Sequence, residues 1–268
     1  MRDITCAIAT CDDDPRLLGR VLDAAVPQLE RPLMVIDMSR GDEVRTAAAE
    51  RPGVEHVAFR ESAGLSASRN EALRRCPTRY LLFLDADAVP EPGWAAAMRA
   101  GFEEDRVAIV GARVVADWEG RRPFLFDTAT AADWLSLFDL GDEPREVPRV
   151  VGTSFALDRE CLADLSFDES LGRRPDQAIG QEEVAFMLGA ADGGWRCWYA
   201  AGARVRHHIP PARGSWKWML HRASTAGRES RLPSAHDLEP LPRRLTLRDR
   251  AFRALVAPAF LAGRLRGR

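Results

Sequence analysis

The chain has 268 residues, of which 46% are hydrophobic and 29% are charged. This length and apolar content suit one large α/β domain or two small ones with a sizeable core. The formal net charge of −2 gives no general attraction to nucleic acid, and the five cysteines stand at spacings that match neither a zinc site nor a disulfide framework, so we expect them to be reduced.

The first part of the chain alternates apolar strands and amphipathic helices. Residues 4–9 predict a strand that ends in a polar loop from Thr10 to Pro15, and residues 16–29 have the apolar spacing of a helix. A second strand, residues 33–37, ends in the carboxylate of Asp37. Strand-end carboxylates in α/β folds cluster at the ligand crevice, so we favour a ligand role for Asp37 over capping of the next helix.

A third strand and a helix follow. Residues 54–59 alternate in polarity like a strand, and we expect a helix from about Ala67 to Arg75 with Arg69 and Asn70 in its first turn. The helix dipole opposes a cation at this position, which suggests another role, such as pairing with a phosphate bound at the helix end. Solvation at the surface is the alternative for Arg69.

The next segment carries the strongest chemical signal. An apolar run at residues 80–84 predicts a buried strand, and it ends in Asp85 and Asp87 before Pro90 and Pro92 prevent its continuation. In a parallel sheet these carboxylates point into the ligand crevice. Two carboxylates this close repel each other unless a cation lies between them, and oxygen ligands suit Mg²⁺ or Mn²⁺. The alternative is that both acids cap the loop and the following helix.

The second half begins with an apolar strand at residues 107–115. Residues 116–149 are less regular and carry aromatic side chains among charges, prolines and glycines. This composition suits a mobile loop over a binding pocket or, equally, an aromatic mini-core. Residues 150–159 predict a further strand that begins with small polar residues, including Gly152 and Thr153.

Two more groups of polar residues stand at element ends. Glu182 and Glu183 open an amphipathic helix, where both carboxylates could simply complement the positive helix N-terminus. His207 and His208 end a strand that begins at Trp198. Neighbouring residues of a strand point in opposite directions, so at most one of the two imidazoles can face a metal at the Asp-x-Asp motif.

The order and spacing of these motifs resemble a known family. The segment Gly64-Leu-Ser-Ala-Ser-Arg69-Asn70, a helix, an apolar strand and the Asp85-x-Asp87 motif together resemble the nucleotide-sugar half of GT-A glycosyltransferases of family two. The resemblance covers about residues 3–230 and implies an α/β fold with a Rossmann-like mixed sheet flanked by helices. Residues 1–115 would form the nucleotide-sugar-binding half and residues 116–230 the acceptor and catalytic half.

The resemblance implies roles for residues on the nucleotide side. The loop at Thr10 would hold the base and ribose, and Asp37 would accept a hydrogen bond from a uracil ring. Arg69, with Asn70 beside it, would lie at the diphosphate of a nucleoside-diphosphate sugar.

For the metal, the resemblance implies that Asp87 and Asp85 bind Mn²⁺ or Mg²⁺ next to the donor diphosphate. Asp85 would therefore contribute to both metal and donor binding. The strand end at His207 is similar to the family's Val-x-His ending, so His207 is the expected third ligand and His208 its substitute.

For the sugar and the acceptor, the resemblance puts Gly152 and Thr153 beneath the donor sugar. Counting back from Gly194-Trp195 aligns Glu183 with the family's catalytic aspartate and Glu182 with the preceding glutamate. A glutamate in place of the aspartate could still deprotonate an acceptor hydroxyl, because a general base needs hydrogen-bond reach of its proton. We expect Glu183 to be the base and Glu182 to support it, and the substitution leaves open which of the two acts.

Residues 231–268 form a basic, amphipathic C-terminal extension, which we expect to be helical. Residues 241–268 contain eight arginines and one aspartate among regularly spaced apolar residues. Such a stretch could lie on an anionic membrane surface or bind a partner, and a helix packed on the domain with solvated arginines is the blander account. The chain shows no signal peptide and no apolar run of membrane-spanning length, so we expect a cytoplasmic protein, with peripheral contact at the inner face of the membrane as an option.

The sequence therefore predicts a metal-dependent, inverting glycosyltransferase with a nucleoside-diphosphate sugar, expected to be UDP-linked, as donor. The acceptor stays open among small molecules, peptides, lipids and polysaccharides, and we expect no nucleic-acid partner. A nucleotidyltransferase is one alternative, although the loop after the first strand is acidic where a triphosphate would need glycines and basic side chains. A catalytically silent nucleotide-sugar-binding protein is the other, because Glu183 replaces the family's aspartate.

Overall fold

A mixed sheet of nine strands lies at the centre of the described part of the chain. The computed structural model describes residues 2–60, 63–173, 180–232 and 246–266. The order of strands in the sheet is β3-β2-β1-β4-β8-β6-β9-β5, and β7 pairs with β9 beside this path. The strands are β1 (Ile4–Thr10), β2 (Leu33–Asp37), β3 (Val54–Ala58), β4 (Tyr80–Leu84), β5 (Ala88–Pro90), β6 (Val107–Trp118), β7 (Arg145–Val147), β8 (Ser154–Asp158) and β9 (Arg196–Ile209).

Helices cover both faces of this sheet. The helices are α1 (Pro15–Ala25), α2 (Glu43–Ala49), α3 (Leu65–Arg75), α4 (Trp94–Ala100), α5 (Ala129–Trp134), α6 (Glu182–Asp192), α7 (Trp216–Glu229) and α8 (Leu247–Arg266). Side chains of α1, α2 and α4 pack on one face of the sheet, and those of α3 and α6 pack on the other. This agrees with the predicted mixed sheet flanked by helices and followed by a C-terminal helix.

The parallel strands bring four strand ends to one edge of the sheet. β1 pairs in parallel with β2 and β4, and β2 pairs in parallel with β3. β4 is buried along its whole length, as expected for a central strand whose apolar run faces helices on both sides. β8 then pairs antiparallel with both β4 and β6, which makes the sheet mixed. The carboxyl ends of β1, β2 and β4 therefore open on the same crevice.

Two of the boundaries that differ from the sequence-based expectation bear on the site. The helix expected to begin near Ala67 begins at Leu65, because Gly64 adopts a φ of 98° that turns the chain into the helix two residues earlier. Arg69 and Asn70 therefore lie in its second turn. The strand expected over residues 150–159 begins only at Ser154, so Gly152 and Thr153 lie in the loop before β8.

The aromatic residues of the irregular segment are partly core residues. Phe138 is fully buried, and its ring meets Tyr199 edge-on with the ring centroids 5.1 Å apart. Phe126 is also buried, in a third apolar cluster formed with α5, α7 and α8. Phe124 stays exposed. The mini-core alternative thus applies to Phe126 and Phe138, and the five cysteines are unpaired as expected.

The C-terminal helix α8 packs closely against α7. Gly227 of α7 faces the backbone of α8 at Phe260, and Gly263 of α8 faces the backbone of α7 at Ser224. A Cβ atom at either glycine would overlap with the facing backbone. Small residues therefore permit this close approach of the two helices. No described helix is long and apolar enough to cross a bilayer.

We predict that Gly227→Ala destabilises the protein, although alanine is the better helix former. The added methyl would force α7 and α8 apart, and overpacking of this kind costs about 1–3 kcal/mol. The free energy of unfolding from urea titration measures the effect. Gly202→Ala is the control, because a Cβ at Gly202 meets only Ala97 Cβ at 3.6 Å. Equal stability of Gly227→Ala and the wild type would contradict the close packing of the two helices.

Candidate functional site

Two carboxylates and an imidazole meet where β4 ends. Asp85 follows β4, Asp87 precedes β5, and the antiparallel pairing of β5 with β9 sets Ala88 opposite His207. His207 Nε2 lies 3.3 Å from Asp87 Oδ1. One ligand atom from each of Asp85, Asp87 and His207 lies within 4.8 Å of the other two. Among the described residues, these three form a cluster that could hold a metal ion.

The orientation of the His207 ring suits a metal ligand. Its Nδ1 atom lies 3.0 Å from the carbonyl oxygen of Leu135, just beyond α5. A carbonyl oxygen only accepts hydrogen bonds, so Nδ1 carries a proton and Nε2 is turned towards the carboxylates. His208 points elsewhere, with its Nε2 3.2 Å from Glu119 Oε2. Of the two candidate histidines, the structure brings His207 to the acidic pair.

The two carboxylates have different electrostatic settings. Removal from water, and next the charge of Asp87, raise the pKa of Asp85 to about 6. Burial also opposes charge on Asp87, but contact with His207 and the charge of Arg213 outweigh it and lower the pKa of Asp87. The two acids therefore repel each other at a place where a cation would relieve the repulsion.

Arg213 is a site residue that the sequence analysis missed. One guanidinium nitrogen lies 3.5 Å from Asp87 Oδ2 and 3.3 Å from His207 Nε2. The residue stands in the turn between β9 and α7, six positions after His207. A basic side chain only six residues after His207 was the signal available in the sequence. Arg213 offers a fixed positive charge beside the metal cluster.

Thr10 and Asp37 occupy neighbouring strand ends on the same edge. They are paired residues at the ends of β1 and β2. The Thr10 hydroxyl donates to Asp13 Oδ2 at 2.9 Å. Asp37 is buried, accepts from the Ser39 amide at 2.9 Å, and has His56 Nε2 2.8 Å from its other oxygen. His56 on β3 is thus a partner of Asp37, and the role of Asp37 towards a base stays a prediction.

Arg69 is buried rather than open to a phosphate. Its guanidinium donates to Glu182 Oε1 at 2.9 Å and to the Gly152 carbonyl at 3.2 Å. The side chains of Arg69 and Glu182 are each 3% exposed. Three phenylalanine rings lie 5.1 to 5.8 Å from the guanidinium carbon, which adds cation–π attraction in a water-excluded setting; they are Phe83, Phe155 and Phe167.

The two glutamates at the start of α6 have different environments. Burial, and next the charge of Glu183, raise the pKa of Glu182 to about 7, and the nearby Arg69 offsets this only in part. No described group donates to Glu182 Oε2. Glu183 is only partly buried, and a Cβ atom at Gly152 would lie 3.4 Å from its Oε1. Glu183 is therefore the carboxylate that faces the loop before β8.

Asn70 holds a turn rather than an open ligand site. Its amide group donates to the Phe167 carbonyl at 2.9 Å and to Glu169 Oε1 at 3.2 Å, and its Oδ1 accepts from the Phe167 amide at 2.8 Å. Thr153 follows Gly152 in the loop that was expected beneath the donor sugar. It is fully buried, and its hydroxyl donates to the Ser136 carbonyl at 3.2 Å. The donor-binding roles of both residues stay predictions.

We predict that Arg69→Met costs about 3–5 kcal/mol of unfolding free energy, because it leaves the buried carboxylate of Glu182 without its partner. Arg69→Met/Glu182→Gln should lose less, since it removes the uncompensated charge. Urea denaturation of the single and double variants measures the difference.

Arg74→Met is the matched control on the same helix, because this arginine is 64% exposed in its ion pair with Glu71. An exposed pair contributes about 0–1 kcal/mol. Equal costs for Arg69→Met and Arg74→Met, together with lost nucleotide binding in the Arg69 variant, would favour the phosphate role over the buried ion pair.

Comparisons with known proteins identify the family of this chain. The model of the family described as "Glycosyl transferase family 2" matches residues 6–165. The glucosyl-dolichyl phosphate glucuronosyltransferase of Haloferax volcanii is 26% identical over 178 residues, which are 64% of this chain and 56% of that protein. The chain thus spans little more than half the length of this relative.

Two solved structures share the fold. The mannosyltransferase PcManGT from Pyrobaculum calidifontis, solved with GDP-Man and Mn²⁺, superposes with a TM-score of 0.60 at 18% identity, over 99% of this chain and 70% of that one. GalNAc-T7, solved with UDP, GalNAc and Mn²⁺, gives a TM-score of 0.58 at 16% identity, over 77% of this chain and 43% of that one. The family model matches more than half of the residues of this chain. The chain therefore belongs to glycosyltransferase family 2.

Proposed function

We propose that this chain transfers a sugar from a nucleoside-diphosphate sugar to a hydroxyl group, with a divalent metal ion and with inversion at the anomeric carbon. The observation that carries the proposal is the cluster of Asp85, Asp87 and His207 at the end of β4. The Asp85 amide donates to the Thr153 carbonyl at 2.9 Å, and Glu183 lies beside the preceding residue, Gly152. The groups for a leaving diphosphate and for an attacking hydroxyl are thus one short segment apart.

The metal ligands fit a hard divalent cation. Two carboxylates and one imidazole suit Mn²⁺ or Mg²⁺, and both solved neighbours were obtained with Mn²⁺. When bound, such an ion acts as a Lewis acid and neutralises charge on the leaving diphosphate. Arg213 supplies further positive charge at the same place.

Glu183 is the better placed of the two glutamates to act as base. Arg69 holds Glu182 in the protein interior, whereas Glu183 is partly exposed at the loop under the proposed sugar position. In the proposed step, the acceptor oxygen bonds to the anomeric carbon as its proton passes to the Glu183 carboxylate. The bond from that carbon to the diphosphate oxygen breaks at the same time. A single displacement of this kind inverts the anomeric configuration.

The proposed nucleotide position is the crevice above Thr10 and Asp37, and the proposed donor is UDP-linked. Support comes from the paired positions of these residues at the ends of β1 and β2, on the same edge as the metal cluster. The two solved neighbours bind different nucleotides, UDP in one and GDP-mannose in the other. The base is therefore the finer part of the proposal. Arg213 is a proposed contact of the diphosphate because it lies beside Asp87. The diphosphate role of Arg69 stays a prediction, and in this structure Arg69 is paired with Glu182.

We predict that UDP raises the thermal unfolding midpoint only when Mn²⁺ or Mg²⁺ is present, and that Asp87→Ala abolishes this increment. A ligand present at a concentration of about a hundred times its Kd stabilises the folded state by about 2.7 kcal/mol. The resulting shift of the unfolding midpoint is readily measured. Asp42→Ala is the control, because Asp42 is an exposed acid paired with Arg45 on α2.

Three other outcomes of this screen would contradict the proposal. Equal stabilisation of the wild type and Asp87→Ala would remove the metal role of Asp87. Stabilisation by nucleoside triphosphates alone would favour nucleotidyl transfer. No response to any nucleotide would favour a protein that does not bind nucleotide sugars.

We predict that Glu183→Gln retains metal-dependent UDP binding but loses turnover, because loss of a general base typically lowers a rate by about 10²–10⁴-fold. Hydrolysis of UDP-sugars, in which water replaces the acceptor, measures turnover without knowledge of the acceptor. Glu160→Gln is the control, since this side chain is 70% exposed at the end of β8. Unchanged hydrolysis by Glu183→Gln would assign the base to another residue.

A further inference from the structure

Helix α8 has two apolar faces, and the described residues cover only one of them. The buried face, with Phe252 and Val256, packs against α5 and α7. In a helix of 3.6 residues per turn, residues 8, 14 and 18 positions after Leu247 share its side of the helix. These positions are leucines, and alanines and a proline stand between them. All four leucine side chains are more than half exposed: Leu247 (81%), Leu255 (53%), Leu261 (55%) and Leu265 (80%). We call them the α8 outer face.

Arginines border the α8 outer face on both sides. The helical positions of the five arginines put three on one flank and two on the other, and all five are exposed. Asp249, the acidic residue of α8, does not counter them, because it is buried and accepts hydrogen bonds from the Thr246 and Ala129 amides. Outside the helix, Asp127 lies 3.8 Å from Arg248 in a half-exposed ion pair, and Arg253 donates to the Thr130 hydroxyl. One flank contains Arg250, Arg253 and Arg264, and the other contains Arg248 and Arg266.

An exposed phenylalanine lies next to this surface. Phe124 is 68% exposed, and the guanidinium of Arg248 stacks over its ring at 4.2 Å from the centroid. Aromatic and aliphatic side chains bordered by arginines are the composition of a helix that lies in the plane of a membrane surface. Arginine stems pack along apolar surface while their charged ends reach phosphate groups.

The charges favour an anionic lipid surface over a second copy of this chain. In a symmetric dimer through the α8 outer face, the arginine rows of one copy would meet those of the other, and like charges in an interface oppose association. An anionic bilayer offers the opposite charge along the whole row and an apolar layer beneath it.

We propose that the α8 outer face binds the surface of an anionic phospholipid bilayer, with its leucines inserted among the acyl chains near the headgroups and its arginines at the lipid phosphates. The helix lies on the membrane and does not cross it. Attachment of α8 to α5 and α7 holds the domain at a fixed orientation to that surface. The inference is independent of catalysis, since it requires neither a donor nor a metal.

Flotation of the full chain with lipid vesicles tests the proposal. We expect the protein to float with vesicles of equal phosphatidylcholine and phosphatidylglycerol, to stay free of vesicles of phosphatidylcholine alone, and to be released by high salt. Leu255→Glu/Leu261→Glu should weaken binding by at least about tenfold, because each leucine loses its burial in lipid. Thr46→Glu/Ala49→Glu on α2 adds the same charge at exposed positions elsewhere and should bind like the wild type.

A second variant guards against loss of folding in the first. Arg250→Gln/Arg264→Gln leaves the apolar residues intact and should also weaken binding to the anionic vesicles, and circular dichroism checks that both variants are folded. Failure of the wild type to float with anionic vesicles would overturn the proposal. It would also be overturned if light scattering showed a dimer that Leu255→Glu/Leu261→Glu dissociates while vesicle binding is unchanged.

Discussion

The buried ion pair between Arg69 and Glu182 is the interaction on which the candidate site depends. It joins α3 to α6 across 113 residues of sequence, and the same guanidinium holds the Gly152 carbonyl. A buried charge without its partner costs several kcal/mol of folding free energy. Loss of either Arg69 or Glu182 should therefore weaken the contact between α3 and α6. Glu183 follows Glu182 directly and faces Gly152. Arg69 therefore holds the start of α6, where the proposed base lies, next to the loop before β8.

Local signals made part of this site predictable, and long-range packing hid the rest. The apolar run of β4 and the carboxylates of Asp85 and Asp87 are adjacent in sequence, so strand, strand end and acidic cluster could all be read together. The alternation of strands and helices also indicated parallel strands, and β1 does pair in parallel with β2 and β4. Burial is not visible in the same way: nothing in the local sequence showed that Arg69 is enclosed and paired with Glu182, 113 residues away. The contact of His56 with Asp37 depends on the register of β2 and β3, which local sequence does not specify.

The tail helix is connected to the metal cluster through α5. Asp249 of α8 accepts from the Ala129 amide at the start of α5. Leu135, just after the end of α5, holds Nδ1 of His207 through its carbonyl oxygen. The short helix is thus fixed at one end by α8 and at the other supports the imidazole. The basic extension, which sequence alone presents as a separate addition, belongs to the frame that orients His207.

The cluster of Asp85, Asp87 and His207 also constrains the thermodynamics of ligand binding. Backbone hydrogen bonds from Asp85 to Thr153 and from His208 to Asp87 hold the two acids in the folded chain, so their mutual repulsion is present before any cation arrives. Asp85, Asp87 and His207 would hold a divalent ion by three side chains, and its other ligands would come from water or from the donor. Under the proposed function, the ion and the donor then share contacts, and each must tighten the binding of the other by the same factor. On that proposal, neither ligand would reach its full affinity alone, and the site would be selective for the pair.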